Sequence, residues 1–382
     1  MLSRRFFLGA GGSAAAILSI PRMAFARART SRRFLFIIQR GAADGLSIVG
    51  PTGDPQHFSL RDNFDQDLAG GTKLDSFFTL HPMLAQAGRL YGDKEALFVH
   101  AVASPYRDRS HFDGQNVLET GGSAAYQLKD GWLNRLLSLL PADDSKALAL
   151  SDTVPMALRG SNQVSSYAPS KLPGPAEDLL QRVSAMYAPD EQLHGLWSTA
   201  LATRMAAGDV QGGGQDGAAI GRIAARLLSG EAGARIAMIE TNGWDTHSGQ
   251  RGRLAAQLRK LDGIIGSLKS GLGADWSDTL VIVATEFGRT ARPNGTGGTD
   301  HGQASAAMLF GGAVAGGKVL ADWPGLSTAS LYEGRDLRPT INLDSLIAGA
   351  LAQHYALEPS RMMATLFPEG RGSAFASTLI RA

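Results

Sequence analysis

The clearest fold signal in this sequence lies at residues 34–45, which read FLFIIQRGAADG. A run of apolar residues followed by a turn rich in Gly, Ala and Asp is typical of a buried strand and the loop at its carboxyl end. Similar apolar runs predict strands at residues 96–101, 235–240, 279–285 and 305–310. Strands that alternate with helices predict an α/β fold with a mostly parallel central sheet and helices on both faces.

Helical patterns lie between these strands. One helix is predicted to start at Pro82, which a first turn tolerates, and another to start after Ser110, which can act as its N-cap. Further helices are predicted at residues 179–186, 192–205, 218–228, 251–268 and 343–354. Residues 123–230 are less regular, and Gly212-Gly213-Gly214 predicts a linker or mobile loop. We expect this region to be a partly helical insert in a single domain of residues 27–382.

The N-terminus has the composition of an export signal. Ser3-Arg4-Arg5-Phe6 is a twin-arginine pattern, the residues after it are weakly apolar, and Ala24-Phe25-Ala26 is typical of a cleavage site. Residues 1–26 are therefore predicted to be a twin-arginine signal peptide, which implies a periplasmic or otherwise exported protein and the twin-arginine machinery as a partner. The alternative is a single membrane anchor, which is disfavoured because the apolar stretch is short and Pro21 interrupts its end.

Composition narrows the class of protein. With 44% apolar and 19% charged residues, the chain has the composition of a globular protein. Removing residues 1–26 removes three arginines and lowers the formal net charge from +2 to −1, so no basic excess remains for nucleic-acid binding. No later segment is predicted to span a membrane. The absence of Cys excludes disulfides, cysteine–zinc sites and thiol catalysis.

Acidic residues and histidines concentrate in loops near the ends of the predicted strands. The segments are Gly243-Trp244-Asp245-Thr246-His247, Thr285-Glu286-Phe287-Gly288-Arg289-Thr290 and Gly298-Thr299-Asp300-His301-Gly302. Because ligands gather beyond the carboxyl ends of parallel strands, these oxygen and nitrogen donors are predicted to converge on a divalent metal. The candidate metal ligands are Asp44, Asp245, His247, Glu286, Asp300 and His301.

Several of these residues also have an ordinary structural interpretation. Asp44 precedes a glycine, and Asp-Gly is a common turn pair. Ser110 is a candidate nucleophile beside His111, but the pair also fits a helix cap followed by a surface histidine. Glu286 ends a buried strand and needs a partner, for which Arg289 is the alternative to a metal.

The arginines that flank the loops are open to two interpretations. Arg40, Arg289 and Arg292 would bind the oxygens of an anionic substrate such as a phosphate, sulfate or carboxylate, or they would neutralise the acids. In the pair Asp300-His301, one residue can ligate a metal while the other supports it from behind.

The order of these motifs resembles the alkaline phosphatase superfamily, which includes the sulfatases. More closely, the mature chain resembles the bacterial family called domain of unknown function 1501, a sulfatase-like branch. The resemblance spans about residues 33–320. The matching segments are Arg40-Gly41-Ala42-Ala43-Asp44-Gly45-Leu46, His81-Pro82, Ser104-Pro105-Tyr106, Arg109-Ser110-His111-Phe112-Asp113, Thr120-Gly121 and the three loop segments that contain Asp245, Glu286 and Asp300.

The resemblance implies an alkaline phosphatase-like fold and metal-dependent hydrolysis of a phosphate or sulfate ester. It implies one or two divalent ions, which could be zinc, calcium, magnesium or manganese. One ion would be held by Asp245, His247 and His301. A second would be held by Asp44 and Glu286.

The resemblance also implies that Ser110 is the nucleophile and a further candidate ligand of the second ion. In phosphatases and sulfatases the nucleophile lies ten residues before the glycine of a Thr-Gly pair. Counting back from Gly121 reaches His111, so both positions remain candidates for the nucleophile.

Two other departures from the superfamily concern the metals. Asp245 and His247 are two residues apart, where the phosphatases have four, and Glu286-Phe287-Gly288 stands where the superfamily has Asp-His-Gly. The alternative function is therefore a non-hydrolytic binding or assembly factor of the cell envelope that keeps the fold, with or without one structural metal.

Overall fold

Strands and helices alternate along most of the chain. The computed structural model describes residues 31–141, 146–168, 177–207, 216–370 and 372–381. The strands are β1 (Arg33–Gln39), β2 (Val49–Gly50), β3 (Thr72–Lys73), β4 (Thr79–Leu80), β5 (Ala96–Ala103), β6 (Ala147–Leu150), β7 (Val164–Ser166), β8 (Ile236–Thr241), β9 (Thr279–Ala284), β10 (Ser305–Phe310), β11 (Lys318–Leu320) and β12 (Ile341–Asn342). The helices are α1 (Gly45–Ile48), α2 (His57–Arg61), α3 (Ala85–Gly92), α4 (His111–Thr120), α5 (Trp132–Leu137), α6 (Glu177–Tyr187), α7 (Glu191–Ala207), α8 (Gly217–Leu228), α9 (Gln250–Leu272), α10 (Leu343–Tyr355) and α11 (Pro359–Leu366).

The central sheet has nine strands in the order β11-β5-β10-β9-β1-β8-β6-β7, with β12 beside β5. β10 runs antiparallel to both of its neighbours, and the other pairs in this sheet are parallel. The predicted mostly parallel sheet is therefore confirmed. A small antiparallel sheet of β2, β4 and β3 lies apart from it.

Helices cover both faces of the central sheet. The side chains of β1 alternate between the two cores that lie beneath these helices. Phe34 and Phe36 belong to the core that α5, α10 and α11 cover, and the Phe36 ring meets the Trp132 ring edge-on at 5.1 Å between centroids. Leu35 and Ile37 point to the core beneath α3, α8 and α9. Each of these side chains is fully buried, which contributes about 1.5–3 kcal/mol per residue.

The sheet direction brings four strand ends to one edge. β1, β5, β8 and β9 run in the same direction, so their carboxyl ends and the loops after them meet there. The loops after β1 and β8 approach closely: a Cβ on Gly41 would lie 2.4 Å from the backbone nitrogen of Asp245. Gly41 also has a φ of +117°, which glycine adopts without strain.

The structure differs from the sequence-based expectation at two places. The helix expected to begin at Pro82 begins at Ala85, because residues 82 and 83 form a turn. The region 123–230 is more than a helical insert, because β6 and β7 inside it extend the central sheet. The predicted signal peptide at residues 1–26 and the predicted linker at Gly212-Gly213-Gly214 lie outside the described residues. None of the helices in the described ranges has the length and apolar character needed to cross a bilayer.

The buried histidine of α10 makes stability depend on pH. Burial and, to a smaller extent, the nearby charge of Arg32 lower the pKa of His354 to about 3, although Nε2 is hydrogen-bonded to the Arg33 carbonyl at 3.0 Å. The unfolded chain therefore takes up a proton at His354 below pH about 6.5, while the folded chain does not. The contribution of neutral His354 to the free energy of unfolding is therefore complete above pH about 6.5 and is lost as the pH falls toward 3.

We therefore predict that His354→Gln makes the free energy of unfolding less dependent on pH. Between about pH 5.5 and 4, the slope against pH should be shallower than in the parent by about 1.4 kcal/mol per pH unit. Urea unfolding at several pH values measures this slope. His194→Gln, at an exposed position of α7, is the matched control and should keep the parent slope. Equal slopes for parent and His354→Gln would contradict the prediction.

Candidate metal centre

Two loops and the start of one helix meet at the edge of the sheet. His111 is the first residue of α4, Asp245 and His247 lie in the loop after β8, and His301 lies in the loop between β9 and β10. One ligand atom each from His111, Asp245 and His301 lie within 4.8 Å of one another. The side chains of Asp245 and His247 are about half exposed, so the cluster is open to solvent on one side.

The ring of His111 is fixed from two sides. Its Nδ1 donates a hydrogen bond to Glu286 Oε1 at 2.8 Å, and the ring stacks on Phe287 at 5.0 Å between centroids. Burial opposes a charge on His111, but the hydrogen bond and charge of Glu286 and the charge of Asp245 outweigh it, so the pKa of His111 is raised. Its Nε2 is buried, lies 3.5 Å from Asp245 Oδ2 and has no hydrogen-bond partner among the described residues.

His301 is oriented in the same way by a backbone oxygen. Its Nδ1 donates to the carbonyl of Arg109 at 2.9 Å. Arg109 has a φ of +62°, which is uncommon for a residue with a side chain, and its guanidinium is held by Asp336 and Glu333. Burial, then the charge of His111, lowers the pKa of His301. No sequence pattern indicates Arg109 in this role, because the contact is made by its backbone carbonyl.

His247 is also oriented through its Nδ1, like His111 and His301. Its Nδ1 donates to Asp300 Oδ1 at 3.0 Å, and Asn294 donates to the same oxygen at 3.1 Å. The Nε2 of His247 lies 3.1 Å from Asp245 Oδ1 and 2.9 Å from His301 Nε2. Asp300 therefore supports His247 from behind, whereas the sequence predicted that one member of the pair Asp300-His301 supports the other.

The donor set fits a divalent metal. In each of the three histidines, Nδ1 is bound to an oxygen that only accepts hydrogen bonds, so the neutral imidazole carries its proton on Nδ1 and a lone pair on Nε2. Two imidazole lone pairs 2.9 Å apart repel each other unless a proton or a cation lies between them. Orientation of a ligand histidine through its other nitrogen is the usual arrangement in metal sites.

Asp245 lies among the three imidazoles and is anchored by Arg289. Its Oδ1 accepts a hydrogen bond from the Arg289 guanidinium at 2.5 Å. Burial acts to raise the pKa of Asp245, but the hydrogen bond and charge of Arg289 and the charges of His111 and His247 outweigh it and lower the pKa. Asp245 is therefore a carboxylate at neutral pH.

Glu286 supports the centre from within the protein. It is fully buried, and its Oε1 accepts hydrogen bonds from His111, from the Gly41 backbone at 2.8 Å and from Gln115 at 3.0 Å. Burial acts to raise its pKa, but these hydrogen bonds lower it. The sequence predicted Glu286 as a metal ligand or as the partner of Arg289, whereas its contacts are with His111, Gln115 and Thr285.

Asp44, the other predicted ligand of a second ion, lies in a separate buried cluster. Its Oδ2 accepts hydrogen bonds from Arg61 and Gln250, each at 2.5 Å, and from Ser47 at 3.1 Å. Burial acts to raise the pKa of Asp44, but Arg61, Gln250 and Ser47 lower it. The Arg61 guanidinium therefore neutralises the Asp44 carboxylate, and Asp44 is not among the residues that cluster at the centre.

The three arginines predicted to bind substrate have different surroundings. Arg40 pairs with Glu240 and with Glu119, the latter at 2.8 Å, so it acts as a counter-ion. Arg289 is buried, and its guanidinium donates hydrogen bonds to backbone carbonyls and to the Asp245 carboxylate. Arg292 is exposed on the loop between β9 and β10.

Ser110 is the N-cap residue of α4, as predicted, but its hydroxyl makes no capping hydrogen bond to the helix. Its backbone nitrogen donates to the Tyr106 hydroxyl at 3.1 Å, which holds the residue in place directly before His111. The hydroxyl is therefore free for another role. Of the two candidate nucleophiles, His111 directs both ring nitrogens to carboxylates of the centre.

The family of the chain follows from its sequence. Residues 96–367 match the model of a family described as a protein of unknown function, DUF1501. The chain belongs to the DUF1501 family. All four side chains of the centre lie within the matched residues, so this DUF1501 member carries the whole cluster in the part that defines the family. No curated protein matches the chain.

Three solved structures are distantly similar to the chain. The C-terminal periplasmic domain of EcEptC from Escherichia coli, in complex with Zn, is 8% identical with a TM-score of 0.39, and the match covers 74% of each chain. The lipoteichoic acid synthase LtaP from Listeria monocytogenes is 8% identical with a TM-score of 0.43, over 86% of this chain and 73% of that one. Ps i-CgsB in complex with k-i-k-neocarrahexaose is 11% identical with a TM-score of 0.41, over 89% and 76%.

Proposed function

We propose that this chain is an exported, metal-dependent hydrolase of a phosphate or sulfate ester. Its single divalent ion would be held by His111, Asp245 and His301, with His247 as a fourth ligand. The observation that carries the proposal is the common orientation of the three imidazoles. Each is held at Nδ1 by an oxygen acceptor and directs Nε2 toward the Asp245 carboxylate.

The donor types favour zinc among the four metals that the sequence left open. Three imidazole nitrogens and one carboxylate oxygen suit a borderline cation, whereas calcium and magnesium prefer sets made of oxygen. A tetrahedral zinc site takes four such ligands, or three protein ligands and one exchangeable position.

The surroundings of Asp44 and Glu286 favour one ion over two. The Asp44 carboxylate is neutralised by Arg61, and Glu286 is occupied by hydrogen bonds from His111, Gln115 and Gly41. Both residues would need to lose these partners before they could bind a second cation.

The residues around the centre suit an anionic ester. The hydroxyl of Ser110 would be the nucleophile, because it makes no capping hydrogen bond to α4 and belongs to the residue directly before His111. The amino-terminal end of α4, a helix of ten residues, carries backbone N–H groups and a partial positive charge for the ester oxygens. A bound divalent ion would supply Lewis-acid stabilisation of the charge that develops on the transferred phosphoryl or sulfuryl group. Export through the predicted twin-arginine signal would place this activity in the periplasm.

A second candidate function has an observation in its favour. Arg40 and Arg289 are both engaged by protein groups, so neither guanidinium is available for the ester oxygens. A non-hydrolytic envelope factor with one structural metal fits this arrangement. The two functions share the metal centre and differ in turnover.

The metal centre predicts a large effect for His301→Ala. The variant removes one ligand, and we expect its Kd for zinc to rise by at least about 100-fold, because loss of an outer supporting residue alone costs about 10–100-fold. Competition with a chromophoric chelator measures Kd on the purified mature protein. The same samples, assayed with aryl phosphate and aryl sulfate esters, separate the two functions.

The matched control is His194→Ala, which removes an exposed histidine from α7 outside the cluster and should bind zinc like the parent. Unchanged zinc affinity in His301→Ala would contradict the proposed centre. Zinc binding without turnover in the parent would favour the envelope factor over the hydrolase.

A further inference from the structure

Arg289 links the strand-end loops behind the candidate centre. Its guanidinium donates to the carbonyls of Ala42 at 2.7 Å, Gly41 at 2.9 Å, Trp244 at 3.1 Å and Thr299 at 3.0 Å. These carbonyls belong to three loops, which follow β1, β8 and β9. A single side chain therefore joins the loops that carry Asp245 and His301 to the loop after β1.

The same guanidinium also contacts a proposed metal ligand. Arg289 Nη2 donates to Asp245 Oδ1 at 2.5 Å, which leaves Oδ2 facing His111 Nε2 at 3.5 Å. Asp245 is about half exposed and would otherwise turn freely toward solvent. In this rotation Oδ1 also faces Nε2 of His247 at 3.1 Å and Nε2 of His301 at 3.5 Å, so both carboxylate oxygens lie against the imidazoles.

We infer that Arg289 is a positioning residue that sets the metal affinity of the centre by fixing Asp245 and the three loops around it. The inference rests on the proposed metal centre and replaces the role of substrate binding that the sequence suggested for Arg289. The side chain is 1% exposed, and Nε, Nη1 and Nη2 all donate to protein oxygens.

The geometry of the contacts requires an arginine. A guanidinium presents five N–H groups in one plane and can bind several acceptors at once, whereas a lysine ammonium is a single point with three donors. The backbone closes tightly around the residue, since a Cβ on Gly302 would lie 2.3 Å from the carbonyl carbon of Arg289. Arg289→Lys keeps the charge but cannot reach acceptors in all three loops.

The experiment compares Arg289→Lys with the parent in two measurements on the mature protein. The Kd for zinc is expected to rise by about 10–100-fold, the usual effect of removing a group that orients a ligand. The zinc-induced increase in the unfolding midpoint should shrink accordingly, because stabilisation by a ligand depends on its concentration relative to Kd. Arg289→Gln, which keeps a planar donor without the charge, is the second variant in case the lysine variant does not fold.

The matched control is Arg135→Lys. Arg135 is another largely buried arginine that donates to backbone carbonyls, including those of Thr365 and Leu366, and it lies outside the centre. Arg135→Lys should lower the unfolding midpoint without changing the Kd for zinc. If Arg289→Lys and Arg289→Gln also lower the midpoint but keep the parent Kd, Arg289 is merely structural and the inference is overturned. A parent protein that binds no zinc would overturn the proposed centre together with the inference.

Discussion

Replacing Ser110 by Ala is expected to lower turnover of an aryl phosphate or sulfate ester by about 10⁴-fold or more while zinc binding stays at the parent level. Loss of a serine nucleophile removes the covalent step, and effects of this size are typical of such variants. Ser110 contributes no hydrogen bond to the imidazoles or carboxylates of the centre, so its removal should leave the metal in place. Steady-state kinetics and metal analysis of the same preparation give the two values.

The matched control for this prediction is Ser123→Ala, at an exposed serine just beyond α4 that contacts Gln127. It should match the parent in both measurements. If Ser110→Ala hydrolyses the ester at the parent rate, Ser110 is not the nucleophile, and the other candidate position, His111, is tested next.

The second large effect is on stability, and it concerns the buried cluster around Asp44. Arg61→Ala is expected to lower the free energy of unfolding by about 3–5 kcal/mol, the usual cost of removing one partner from a buried ion pair. Arg61 is fully buried between Asp44 at 2.5 Å and Asp65, and its loss would leave two carboxylates without their cation. Urea unfolding at neutral pH measures the change.

Arg251→Ala provides the comparison for Arg61→Ala. Arg251 also pairs with an aspartate, Asp67, at 2.5 Å, but its side chain is 55% exposed. Exposed pairs contribute little to stability, so this variant should unfold close to the parent. Similar unfolding curves for Arg61→Ala and the parent would show that the cluster is not held by Arg61.

The sequence was most informative for features that a short stretch of residues determines by itself, such as a buried strand and the loop that follows it. The apolar run of β1 predicted a buried strand, because five consecutive apolar residues followed by turn residues are typical of a strand covered on both faces of a sheet. The loops that carry Asp245 and His301 were expected at one edge of that sheet, because parallel strands place their carboxyl ends together. The structure brings these two residues together.

Other features depend on contacts that no local pattern encodes. Asp44 has the sequence position of a metal ligand, but Arg61 and Gln250, distant along the chain, surround its carboxylate in the fold. The short strands β6 and β7 have few residues from which to detect a period of two. His111 was predicted to be catalytic beside Ser110, whereas its contacts with Glu286 and Asp245 place it among the proposed ligands.

The most direct test of the account is the number of metal ions bound by the purified mature protein. The protein would be stripped with a chelator, titrated with zinc and measured by elemental analysis after removal of free metal. The proposed centre predicts one ion per chain, its loss in His301→Ala and its retention in His194→Ala. A parent protein that binds no divalent metal, and whose unfolding midpoint does not change with zinc, would contradict the account.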